Sequence, residues 1–137
     1  MVEISKLVDD LIKKYDTNDP FKLASYLDIW VYKCELGKKI NGHYIYAKRK
    51  KVFFINSELT NVGSIITCAH ELGHALLHTK TCAYFSYKNE FENLSHLEIE
   101  CNKFAIELLS RNNYLKNNIN PNIKSSIIKI IPNELNL

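Results

Sequence analysis

The sequence has no CxxC pair, no long apolar run and no strong excess of either charge, and each absence removes a class of protein. Without CxxC, its four cysteines (Cys34, Cys68, Cys82 and Cys101) give no support to a zinc knuckle or a dithiol redox motif. No apolar stretch approaches bilayer-spanning length. The opening MVEISKLVDDLIKKYD carries acidic residues and no continuous apolar core, unlike a secretory signal. A cytoplasmic protein with reduced thiols and no membrane association is therefore expected. The net charge of +3 is too small to argue for nucleic acid. The one dense basic run, Lys48-Arg49-Lys50-Lys51, lies between two alternating apolar segments and reads as a solvated hairpin tip. There is no internal repeat and no linker between two cores, so the 137 residues are expected to form a single domain.

What is present is a sequence of short, well-punctuated elements. Ile4, Leu7, Val8, Leu11, Ile12 and Tyr15 recur at helical spacing and predict a helix over 3–15. Asp19 followed by Pro20 predicts a capped start for a short helix over 20–27. The β-branched and aromatic run 29–36 predicts a strand. The segments 42–47 and 51–56, on either side of the basic tip, predict an antiparallel hairpin. Thr60 or Asn61 can cap a helix over 62–78. Residues 79–93 show no clean period and read as a long connection. A further helix is expected over 95–110. An Asn-rich break follows, and Ile123, Ile127 and Ile131 suit a last helix packing back on the body. The fold class is α+β, with a sheet of about three strands.

The helix over 62–78 contains CAHELGHALLH. At about 100° per residue, Ile65, Ala69, Leu72 and Leu76 fall on one face, and His70, Glu71, His74 and His78 on the other. His70 and His74, four residues apart, can converge on one ion, and Glu71 beside them can reach water at that ion without being a ligand. His78 shares the face, but it lies about 12 Å along the axis from His70 and reads as a residue at the edge of the site. Histidines held by hydrogen bonds inside a core are the alternative. The extended pattern HExxHxxGxxH fails, because Leu77 and Lys80 stand where it needs glycine and histidine. A third ligand must then come from the next helix. There Leu97, Cys101, Phe104 and Leu108 form the apolar stripe, with Glu98 and Glu100 on opposite flanks, each about 80° from its centre. Periodicity does not choose between them, but it predicts that both cannot face one metal.

AHELGHALLH followed by EIECNKFAIELL resembles the ImmA/IrrE family of metallo-endopeptidases, HExxH zincins often associated with phages and mobile elements. The likeness runs over about 18–110, through DPFKLASYLDIWV, GHYIY and KVFFIN, with 111–137 as a C-terminal extension. The resemblance implies a small zincin-like domain in which the HExxH helix packs on a second, ligand-bearing helix. It implies one Zn²⁺ per chain, with Mn²⁺ an alternative, held by His70, His74 and Glu100, the last matching the glutamate of the family's E-A-N-x-F-A motif. Glu71 is then the general base. His96, His78, Tyr84 and Tyr87 are candidates for an oxyanion donor or a supporting role, and Glu98 either orients a ligand or faces solvent, the latter being the expectation. Cys101 departs from the family's usual alanine, and neither a helix-turn-helix nor a sensor domain is expected here. The implied activity is cleavage of a helix-turn-helix transcriptional repressor, with no direct binding of nucleic acid. A non-proteolytic anti-repressor, its metal structural or vestigial, is the rival.

Overall fold

The computed structural model of the chain describes residues 3–79, 83–84 and 92–111. Helix α1 (Ile4–Tyr15) buries Val8, Leu11 and Ile12 and ends at Asp16, whose left-handed backbone returns an N–H to Ile12 O. Helix α2 (Pro20–Tyr26) starts where the sequence predicts. The Asp19 side chain accepts from Phe21 N, and proline takes the first turn, where its missing N–H costs nothing.

Strands β1 (Trp30–Cys34), β2 (Gly42–Ala47) and β3 (Lys50–Asn56) are joined by a two-residue β4 (Ala83–Tyr84), in the order β1-β3-β2-β4. The β2–β3 hairpin is antiparallel, and Ala47 pairs with Lys50 across a two-residue turn. Both turn residues, Lys48 and Arg49, have positive φ, the type I′ geometry that matches strand twist. β1 pairs with β3 in parallel, Trp30 opposite Val52 and Cys34 opposite Asn56. The α+β class holds. The sheet is mixed, with a fourth short strand inside the stretch expected to be a plain connection.

Alternation turns Tyr44, Phe53 and Ile55 inward, where all three are buried. Each such side chain contributes about 1.5–3 kcal/mol relative to exposure. Helix α3 (Asn61–Leu77) lies against this face, packs on its other side against α4 (Glu92–Leu109), and is buried continuously from Gly63 to Ala75. Thr60 caps it by accepting from Gly63 N at 3.0 Å. The two helices approach closely at Gly73. A Cβ there would stand 3.1 Å from Cys101 Cα and 3.2 Å from its Cβ.

Two buried amides tie the connections. Asn56 Nδ2 donates to Gly37 O and Ile40 O, fixing the loop between β1 and β2. Asn18 Nδ2 donates to Leu108 O at 3.0 Å and Arg111 O at 2.8 Å, taking up carbonyls that the end of α4 leaves without helical partners. Arg111 adds ion pairs to Asp9 and Glu107. The expected helix around 123–131 and most of the 79–93 connection lie outside the described residues. Among the described residues, no helix is long and apolar enough to cross a membrane.

Candidate metal centre

The site forms where the polar side of α3 meets α4. His70 and His74 are one turn apart, their rings 5.0 Å apart between centroids, and both are buried. The carboxylate that joins them belongs to Glu98. Its Oε2 lies 2.7 Å from His70 Nε2 and its Oε1 2.9 Å from His74 Nε2. One turn further along α4, Asn102 Oδ1 lies 2.7 Å from His70 Nδ1. Tyr44 stacks on the His74 ring at 6.3 Å and 5°, and its hydroxyl donates to Thr79 O. The histidine is thus held from the sheet side as well.

The expected third ligand, Glu100, is not in this group. Its Oε1 lies 2.8 Å from His78 Nε2 at the rim, and Cys101 Sγ lies 3.6 Å from His78 Nδ1. The physical reason is the true centre of α4's inward face. Glu98, Asn102, Ala105 and Leu109 are buried with the apolar stripe, so the face extends to the Glu98 flank. Glu98, expected in solvent, is buried. The prediction that the two glutamates face different surroundings holds. His96 is exposed. Tyr87 lies outside the described residues, as does the side chain of Tyr84.

Charge in the group is unusual. Burial pushes His70 down to about 4, and Glu98 only partly offsets this. Burial pushes the Glu98 carboxyl up, but the charge and hydrogen bonds of His70 and His74 outweigh it and hold it at about 2. At neutral pH a charged carboxylate therefore faces a neutral imidazole. A neutral His70 carries one ring proton, yet Asn102 Oδ1 and Glu98 Oε2, both acceptors, face its two nitrogens. Donating to Asn102 leaves the Nε2 lone pair aimed at a carboxylate, an arrangement that a cation between them resolves.

Glu71 is fully buried beside this group, and neither carboxyl oxygen has a hydrogen-bond partner. Burial first, then the Glu98 charge, pushes its carboxyl well above the usual range. It occupies space that Gly42 leaves open. A Cβ on Gly42 would come within 2.7 Å of Glu71 Oε2 and 2.6 Å of Thr67 Cγ2. The sequence reading missed Gly42 and Tyr44. The available signal was a glycine opening an otherwise β-branched and aromatic strand, a mark of close approach. Two buried imidazole nitrogens, a shared carboxylate and an unpartnered carboxyl alongside fit a divalent cation and its water.

Burial also pushes the Cys101 thiol up, as do Glu98, Glu71 and Glu100. Cys34, Cys68 and Cys101 are free thiols among the described residues.

Two comparisons place the chain among known proteins. The peptidase family M78, IrrE N-terminal-like domain, matches residues 24–124, which takes in α3, α4 and the sheet. The chain belongs to that family. Over 106 residues it is 42% identical to an uncharacterized immunity region protein of Bacillus phage phi105, an overlap of 77% of this chain and 67% of that protein.

Proposed function

We propose that the protein is a metal-dependent endopeptidase, with Zn²⁺ held by His70, His74 and Glu98, Glu71 as general base, and a helix-turn-helix repressor as substrate. The observation that carries this reading is the meeting of Glu98 with both histidine Nε2 atoms beside a buried carboxyl that has no partner. Glu98 is preferred to Glu100 as the third ligand because Glu100 is already engaged by His78 at the rim.

When bound, the ion supplies Lewis acidity, polarising the scissile carbonyl and lowering the pKa of water. Asn102 accepts from His70 Nδ1–H, which selects the tautomer with a free Nε2 lone pair. Tyr44 fixes the plane of His74. Glu71 Oε takes a proton from the attacking water and returns it to the leaving amide nitrogen. Its buried setting raises its basicity.

The substrate class is supported by the family and by the phage relative, an immunity region protein. A repressor that keeps a mobile element silent, cut at one site in the cytoplasm, suits both. The test is incubation of the zinc-loaded chain with helix-turn-helix repressors of phage immunity regions, for wild type and Glu71→Gln. Cleavage by wild type and none by the variant, at equal zinc content, supports the reading. Intact repressor that both proteins nevertheless strip from its operator would instead make the protein a sequestering anti-repressor.

A further inference from the structure

Cys101 adds a donor at the two histidines. His70, His74 and Cys101 each offer an atom able to hold a metal, and these three atoms all lie within 4.8 Å of one another in a buried position. The Cys101 side chain reaches this place because Gly73 lets α4 approach α3 at that residue.

We propose that Cys101 Sγ is a fourth, exchangeable ligand of the metal site, resting on the reading that His70, His74 and Glu98 hold a divalent ion. Three protein ligands leave a position for water, whereas four close the shell, as in structural zinc sites. Thiolate is a favoured zinc ligand and displaces water readily. Its coordination releases the thiol proton. The chain can thus keep its metal in a closed, latent form.

From the same place the thiol also has a partner at the rim. His78 Nδ1 lies 3.6 Å from Sγ, and Glu100 Oε1 holds the far side of that imidazole at 2.8 Å. Sγ released from the metal meets a fixed hydrogen-bond partner instead of an apolar wall. This gives Glu100 and His78 a role as positioning residues for the thiol.

Cobalt tests this directly, because a thiolate ligand adds a charge-transfer band in the near ultraviolet that nitrogen and oxygen ligands do not. The full chain is stripped with chelator, loaded with Co²⁺ and recorded as wild type, Cys101→Ser, Cys101→Ala and, as a control, Cys68→Ser. Metal content and circular dichroism are measured alongside. The expected result is one cobalt per folded chain throughout, with the band in wild type and Cys68→Ser and its loss in both Cys101 variants. Acetohydroxamate should then abolish the wild-type band while cobalt stays bound. Cobalt uptake without the band, or a band that survives in the Cys101 variants, overturns the assignment. A band unmoved by bound acetohydroxamate makes Cys101 a permanent ligand and overturns exchange. No cobalt uptake by folded wild type defeats the metal reading itself, and this inference with it.

Discussion

Glu98 spans His70 and His74 with one oxygen for each, while Glu100, two residues along the same helix, pairs with His78. The two carboxylates therefore predict opposite outcomes. Glu98→Ala, which leaves His70, His74 and Cys101, should weaken zinc binding, and Glu100→Ala should leave it unchanged. Asn102→Ala, which removes the partner of His70 Nδ1, should weaken zinc binding by about 10–100-fold. Metal content after gel filtration and a competition titration read all three. Zinc lost from Glu100→Ala and retained by Glu98→Ala would return the third ligand to Glu100.

Glu71 should destabilise the metal-free protein. Its folded pKa is raised from 4.5, so any stability it gives is complete below 4.5 and is lost as pH rises towards the folded value. With chelator present, Glu71→Gln should gain stability relative to wild type as pH rises above 4.5. Urea midpoints at pH 5, 6.5 and 8 measure it. A difference that shrinks as pH rises would contradict the assigned burial.

His70 acts in the other direction. A folded pKa of about 4, against 6.5 unfolded, means stability that is present above 6.5 and lost as pH falls through the folded value. Metal-free Glu71→Gln, without the opposing group, should lose about 3 kcal/mol between pH 7 and 4 from this residue. His70→Gln in the same background should flatten that part of the curve.

Gly73→Ala sets two effects against each other. Alanine in a helix interior gains about 1 kcal/mol over glycine. The new methyl, however, meets Cys101 Cα and Cβ at 3.1 and 3.2 Å, and these atoms cannot swing aside without moving α4. A lower melting temperature and weaker zinc binding are expected, since α4 carries Glu98. A higher melting temperature with zinc affinity unchanged would show that the helices separate freely.

The hairpin tip offers a gain distant from the chemistry. Lys48 and Arg49 both adopt the left-handed region, at roughly 1–2 kcal/mol each. Asn-Gly suits that turn. Lys48→Asn with Arg49→Gly should raise stability by about 1 kcal/mol net of glycine's greater chain entropy, read as a shift in the urea midpoint. Metal binding should not change.

The helices were legible because α1 and α3 each show a clear apolar stripe, and Asp19 and Thr60 mark the starts of α2 and α3 at the right residue. The polar face of α3 also stood out, since histidines and a glutamate there have no packing role. The pairing of β1 with β3 was not legible, because alternation tells a strand which face it buries and not which neighbour it takes. Choosing between Glu98 and Glu100 needed the depth of α4 in the core. Asn102 was the overlooked clue: it stands four residues from Glu98, so the two share a face, and an amide of that kind inside an apolar run needs a buried partner.

The amide of Asn18 reaches across the molecule to the last turn of α4, and Asp9 on α1 meets Arg111 there too. Both anchors precede residue 24, where the family match begins. The segment that matches the family is thus smaller than the segment these contacts tie together. A fragment cut at the family boundary would keep HExxH and Glu98 but would free the far end of the helix that brings Glu98 to the histidines. In hydrogen exchange, protection of α4 should therefore follow protection of the N-terminal helix.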